Sequence, residues 1–230
     1  MSKSLKNIIN WNEVETVLFD MDGTLLDSHY DNYFWQEHLP AHYARLHNVE
    51  LMVAQQLLHD KVMAKSGELE FYCIDYWSEQ LGFELMPIKT EIENRIQFLP
   101  GAKALLHYLD TLPLTKVLVT NAHRKTLDLK NRATSICSYV DASFASHDFG
   151  LPKEHTRFWP AFANAFSFDP ATTVFVDDNP AVLAMASQYS IAHCIMPLQP
   201  DSKKPIRSSL QIPGTLEVGS LHELLHGTSQ

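Results

Sequence analysis

The sequence places this chain in the α/β class, as a doubly wound parallel sheet interrupted by a helical insertion. Three observations point there. Short apolar runs rich in β-branched residues end abruptly in polar side chains. Patterns of helical period lie between those runs. One long early segment, from Asp27 to Pro100, is rich in helix formers and aromatics but carries no convincing strand.

Taken in order, Thr16-Val17-Leu18-Phe19 leads into Asp20, Lys116-Val117-Leu118-Val119 into Thr120-Asn121, and Thr173-Val174-Phe175-Val176 into Asp177-Asp178. Runs of this kind suit strands buried on both faces. Ala142 to Ser146 and Ile191 to Ile195 are weaker strand candidates. Ala102, Leu105, Leu106 and Leu109 share one helical stripe, and Phe158, Phe162 and Phe166 another, with Pro160 marking a bend or a late helix start. Asn179-Pro180 has the chemistry of an N-cap and first turn for a helix through Ala186. Strands alternating with helices give βαβ units and a Rossmann-like core, whose ligands bind beyond the carboxyl ends of the strands. The acids lie at those ends.

Residues 28–98 are expected to form a helical cap of about four helices, broken at Pro40, Gly67, Gly82 and Pro87. The α/β core then comprises 1–27 and 99–230. Pro197 to Gly219 reads as an irregular surface passage, followed by a short final helix near Leu221 to Leu225.

Bulk properties narrow the function. At 230 residues and 45% hydrophobic content, the chain can bury one sizeable core with a smaller insertion. A net charge of -9 disfavours a nucleic acid polymer as partner, though not a small anion held in a locally positive site. Cys73, Cys137 and Cys194 are scattered and odd in number, which suits buried thiols in a reducing, cytoplasmic setting. Residues 1–10 offer only Ile8-Ile9 and no signal-peptide core, and no apolar run spans a membrane.

Asp20-Met21-Asp22-Gly23-Thr24 puts two carboxylates two residues apart at a strand end, followed by a tight turn at Gly23. Clustered oxygen ligands suit a hard cation such as magnesium. Thr120-Asn121 ends the second strand, Lys153 sits in Gly150-Leu151-Pro152-Lys153, and Asp177-Asp178-Asn179-Pro180 follows the third. Each motif is weak alone; the ordered set, framing nearly the whole chain, is specific. In it the sequence resembles the haloacid dehalogenase-like hydrolases.

That resemblance implies a magnesium-dependent phosphatase. Asp20 would attack phosphorus and form an aspartyl-phosphate. Asp22 would protonate the leaving oxygen and then deprotonate the attacking water, which requires a pKa raised above the ordinary Asp value of about 3.9. Thr120, Asn121 and Lys153 would hold the phosphate. The metal set would be Asp20, Asp177 and the backbone carbonyl of Asp22, with Asp178 ligating directly or through water. The family's dehalogenases lack an acid two residues after the nucleophile, so Asp22 favours phosphate esters over alkyl halides.

Longer stretches resemble the bacterial GMP/IMP nucleotidases: Asp31 to Gln36, Tyr72 to Gly82, Thr120 to His123 and Phe149 to Glu154. A purine nucleoside monophosphate is the implied substrate. A cap aromatic (Tyr33, Phe34, Tyr72, Tyr76 or Trp77) is a candidate to stack on the base, Asp31, Asn32 or Asp75 to read its edge, and His123 to meet the leaving group. Sugar phosphates, phosphoglycolate and phosphomutase chemistry remain as alternatives, and oligomeric state is open.

Overall fold

The computed structural model describes residues 9–226; most of the N-terminal stretch 1–10, expected to lack a signal-peptide core, lies outside them. Six parallel strands form one sheet: β1 (Thr16–Phe19), β2 (Thr115–Thr120), β3 (Ala142–Ala145), β4 (Thr173–Val176), β5 (His193–Pro197) and β6 (Thr215–Val218). Their order is β3-β2-β1-β4-β5-β6. β1 is fully buried, its Phe19 in register with Leu118 on one side and Val176 on the other. Strand order reverses between β1 and β4, so a crevice opens at their carboxyl ends. Asp20 and Asp177 are the first residues beyond those ends.

Residues 29–95 are helical throughout their regular structure. α1 (His29–Tyr33) passes through a π-helical segment, Phe34–His38, into α2 (Leu39–His47); α3 (Leu51–Met63), α4 (Ile74–Leu81) and α5 (Leu85–Thr90) follow. Pro40, expected as a break, instead sits in the first turn of α2. Its missing N–H and its ring conflict with a regular turn, and the wider π segment just before it absorbs both. α1 to α2 is therefore one continuous rod, and four rods fill the segment. Gly82 ends α4 at φ 76°, donating its N–H back to Ser78. The chain leaves and rejoins the sheet side by side: Asp27 N–H donates to the Gln97 carbonyl at 2.9 Å, Leu99 N–H donates to Leu25 at 2.9 Å, and Leu26 bridges Phe98.

The remaining helices are α6 (Ala102–Leu109), α7 (Arg124–Thr134), α8 (Phe158–Ala165) and α9 (Pro180–Gln188). Pro160 lies in the first turn of α8, where its lost N–H is not needed. Asn179 caps α9, its side chain accepting from Ala181 N–H at 2.9 Å. Along β1, Val17 and Phe19 face one core with α6, α7 and the insertion, while Leu18 faces the other with α8 and α9. That alternation is the period-two signature of a sheet covered on both sides. Truncating Leu18 to Ala would cost about 2–5 kcal/mol.

Two further expectations are corrected. The passage after Pro197 contains β6, a half-exposed edge strand pairing with β5; its four residues mix Thr and Glu with apolar side chains, too weak a signal to stand out. Of the three cysteines, which are all free, only Cys194 is buried; Cys73 and Cys137 are half-buried, because Cys73 starts a helix instead of lining an apolar face. No helix among the described residues is long and apolar enough to cross a membrane.

Candidate active site

Asp20, Asp22, Thr120, Asn121, Lys153 and Asp177, drawn from four separate stretches of chain, all line one cavity of about 180 Å³ at the strand ends. The Asp20 N–H donates to Val176 at 2.9 Å, continuing the β1–β4 ladder and fixing its carboxylate over the crevice. The buried Lys153 ammonium donates to Asp20 Oδ1 at 2.5 Å, to Asp177 Oδ2 at 2.7 Å and to the Val119 carbonyl at 3.0 Å. Its backbone is held in turn by Asn121, whose Oδ1 accepts from Lys153 N–H at 2.9 Å.

One oxygen each from Asp20, Asp177 and Asp178 lie within 4.8 Å of one another. Burial pushes Asp20 and Asp177 up to about 6 and Asp178 up to about 7; Lys153 opposes the rise in Asp20 and Asp177, and like-charged neighbours add to it in all three. Crowded, buried carboxylates of this kind favour a hard divalent cation, which suits oxygen ligands. Gly23 makes the approach of Asp178 feasible. It adopts φ 85°, and a Cβ there would fall 2.7 Å from Asp178 Cγ. Arg207 steadies Asp178 from outside, donating to its backbone carbonyl at 2.9 Å and its carboxylate at 3.2 Å.

The Asp22 carboxylate stands apart from that cluster. Its Oδ1 accepts from Lys130 on α7 at 2.5 Å; the same ammonium donates to Asp31 on α1 at 2.5 Å, and Lys89 on α5 donates to Asp31 at 2.7 Å. Burial raises Asp22 to about 6, with Lys130 opposing and Asp31 and Asp20 adding. Burial also works to raise Asp31, but the ammoniums of Lys130 and Lys89 outweigh it and hold that group well below the usual carboxylate range. Two neighbouring acids are thus set apart, Asp31 held as an anion and Asp22 raised toward neutrality.

Sequence reasoning missed Lys130, Lys89 and Glu154. Glu154 accepts from Asn121 Nδ2 at 2.9 Å and from the Tyr72 hydroxyl at 2.8 Å, joining the sheet edge to the insertion. Its signals were adjacency to Lys153 and its place at the end of the resembling stretch Phe149 to Glu154. The lysines gave none: each lies on a helix whose pattern reads as an ordinary solvated face. Among the suggested aromatics, Tyr72 lines the cavity, together with Trp35, Phe71 and Ile74; Phe34 and Trp77 are core, Tyr33 stacks under the Arg95 guanidinium at 3.8 Å, and Tyr76 packs against Trp77. Asp75 is an exposed partner of Lys125 at 2.7 Å, and Asn32 donates to Asp201 at 2.8 Å. His123 caps α7 and does not line the cavity.

Comparison with known proteins identifies the family. The model of the haloacid dehalogenase-like hydrolases matches residues 14–189. The chain belongs to that family. A curated relative, the GMP/IMP nucleotidase YrfG of Escherichia coli (strain K12), is 37% identical over 194 residues, covering 84% of this chain and 87% of the relative. Two solved structures share the fold of this haloacid dehalogenase-like hydrolase at low identity. The HAD phosphatase from Thermococcus onnurineus superposes with a TM-score of 0.76 at 16% identity, covering 92% of this chain and 96% of the other. The L-2-haloacid dehalogenase from Xanthobacter autotrophicus, with chloropropionic acid covalently bound, gives 0.62 at 17%, covering 92% and 97%. Within the family, this chain is a phosphoric monoester hydrolase.

Proposed function

We propose that this hydrolase is a magnesium-dependent purine 5′-nucleotidase that releases phosphate from GMP and IMP through an aspartyl-phosphate on Asp20. The observation that carries the reaction is the contrast between two acids on one cavity: Asp20 held by Lys153, and Asp22 held by the Lys130–Asp31 pair. An Asp20 oxygen bonds to phosphorus while the ester P–O bond breaks, and Asp22 gives its proton to the departing ribose oxygen. Asp22 then takes a proton from water; the water oxygen bonds to phosphorus and the Asp20–phosphorus link breaks, freeing phosphate.

Thr120 Oγ1 accepts from Ala122 N–H at 3.0 Å, which leaves its own hydrogen for a phosphate oxygen. Lys153 supplies positive charge. Asn121, bonded on both ends of its amide, holds the Lys153 loop in place as well as facing the phosphate. Five carboxylates face three lysines around the cavity, so a phosphate dianion needs a further cation. Asp20, Asp177 and Asp178, with the Asp22 backbone carbonyl, are the groups to hold it. A magnesium ion there supplies the charge that neutralises the transferring phosphoryl oxygens.

For the substrate, support comes from the nucleotidase relative and from space. The catalytic cavity of about 180 Å³ does not stand alone: Asp31, Trp35 and Phe71 also line an adjoining cavity of about 610 Å³, within the range of small-molecule sites. We read residues 28–98 as a cap over the core of 1–27 and 99–230, since the chain leaves and returns through paired backbone at Leu26 and Phe98. A cytoplasmic location fits the three free cysteines.

A phosphate-release screen with magnesium, over nucleotides, sugar phosphates and phosphoglycolate, tests the reading. GMP and IMP should give the highest kcat/KM. Sugar phosphates or phosphoglycolate outcompeting every nucleotide would overturn the nucleotidase assignment, and a lasting phosphoenzyme with little free phosphate would favour a phosphomutase.

A further inference from the structure

A second group of ligating side chains lies outside the active cavity. Cys73 stands between the 3-10 turn Leu69–Tyr72 and α4, His123 at the start of α7, and His147 in the 3-10 turn Ser146–Asp148 after β3. One ligand atom from each lies within 4.8 Å of the other two. None of the three lines the catalytic cavity.

His147 is the informative member. Both of its ring nitrogens are buried, and neither has a hydrogen-bond partner among the described residues. A buried imidazole with both nitrogens unmatched is a standing cost, and such groups call for an explanation. His123 meets it edge to face, with ring centroids 4.7 Å apart. The His123 ring is lightly tied: Nδ1 accepts from Lys125 N–H at 3.3 Å, and Nε2 lies 3.8 Å from Asp75, beyond hydrogen-bond reach. Cys73 is a free thiol whose sulfur accepts the Tyr76 N–H at 3.4 Å, at the first turn of α4.

One thiolate and two imidazoles make a borderline-soft donor set. It matches zinc, which takes Cys and His in tetrahedral sites, and it is the wrong chemistry for magnesium. The acidic cluster at Asp20, Asp177 and Asp178 has the opposite preference. The Cys/His set therefore discriminates against magnesium. Position adds a consequence. Cys73 belongs to the helical insertion, whereas both histidines belong to the carboxyl edge of the sheet. Tyr72, the neighbour of Cys73, lines the catalytic cavity.

We propose that Cys73, His123 and His147 form a zinc site, separate from the catalytic acids, that staples the insertion to the sheet edge. Zinc bound there restrains opening of the cavity and slows turnover by the magnesium-loaded enzyme. The site goes beyond the nucleotidase reading and does not depend on which phosphate ester is the substrate.

The test uses the full chain, stripped with chelator and held in excess magnesium. Cobalt serves as a coloured stand-in for zinc, and zinc itself is titrated by calorimetry. The wild type should show a thiolate-to-cobalt charge-transfer band and bind one equivalent of zinc. Cys73→Ser, which keeps a capping oxygen for α4, should lose the band, and zinc affinity should fall at least about tenfold. His147→Gln should weaken zinc equally and serves if the first variant folds poorly. Asp177→Asn should keep the band, since it alters only the acidic cluster. Zinc should inhibit the wild type, while Cys73→Ser keeps its magnesium-dependent activity and resists zinc. No thiolate band in the wild type, a band that survives Cys73→Ser, or a band abolished by Asp177→Asn would overturn the site. Equal zinc inhibition of wild type and Cys73→Ser would overturn the staple.

Discussion

The ammonium of Lys130 stands 2.5 Å from the carboxylate of Asp22 and is shared, at the same distance, with Asp31. Lys130 comes from the α/β fold and Asp31 from the insertion, so the proton affinity of the acid is set where the two meet. Asp31→Asn removes a negative charge that raises Asp22 and frees Lys130 to serve Asp22 alone. Both changes stabilise the Asp22 anion and lower its pKa from about 6. Because Asp22, as the proposed general acid, would have to be protonated to release the leaving group, the alkaline limb of the pH–kcat/KM profile should move down by about one unit, with severalfold loss at neutral pH. An alkaline limb that stays put, or moves up, removes Asp22 from the role of acid.

Asp20→Asn keeps the shape of the side chain and discards the proposed nucleophile. Lys153 retains Asp177 at 2.7 Å and the Val119 carbonyl at 3.0 Å, so its ammonium is not stranded. Turnover should fall by at least on the order of 10³-fold with the circular dichroism spectrum unchanged, and acid quenching should trap no phosphoenzyme. Activity near the wild-type level would refute the nucleophile assignment.

Gly23→Ala probes the metal cluster through the backbone. The added Cβ would meet Asp178 Cγ at 2.7 Å, and the residue would have to hold φ 85°, which costs a non-glycine residue about 1–2 kcal/mol. Asp178 must retreat. Magnesium affinity, measured by calorimetry, should drop about tenfold or more, and the melting temperature should fall by a few degrees. Unchanged magnesium affinity would show that Asp178 is not needed near the ion.

The sheet was legible because its central strands are short and buried on both faces, so Thr16–Phe19 and Thr173–Val176 match observed strands end to end. β6 was not legible, since an edge strand with one wet face carries little hydrophobic signal. The acids were readable for a related reason: a polar residue ending a buried run has few structural excuses. Lys89 and Lys130 were hidden. Each is a lysine on a helix, and only the docking of that helix buries it, against rings and carboxylates distant in sequence. Aromatic residues in the insertion were visible as a class, but which of them face the cavity depends on packing. The rod's π segment decides it for Phe34, which turns into the core, and Trp35, which turns toward the site.

Trp35 and Phe71 form the partition between the catalytic cavity and its larger neighbour, which makes them the aromatic surfaces a purine would meet. Stacking on such a surface is worth about 1–3 kcal/mol per base, so Trp35→Ala should raise KM for GMP by about 5- to 150-fold. The base is remote from the reacting phosphorus and stacks equally in ground and transition states. The loss should therefore fall on KM, with kcat nearly unchanged. A small aryl phosphate with no purine should be hydrolysed at close to the wild-type rate. Trp35 also packs edge-on against Trp77, with centroids 6.2 Å apart, and lies 5.9 Å from the Lys89 ammonium. Truncation can therefore disturb the Lys89–Asp31–Lys130 chain and, through it, Asp22. That route predicts something different: kcat would fall for both substrates, and the alkaline limb would shift with it. Trp35→Phe separates the two, since it keeps a stacking face and most of the packing. Rescue of KM for GMP by Phe, with the aryl phosphate indifferent throughout, assigns Trp35 to the base; loss of kcat on both substrates assigns it to the support of Asp22.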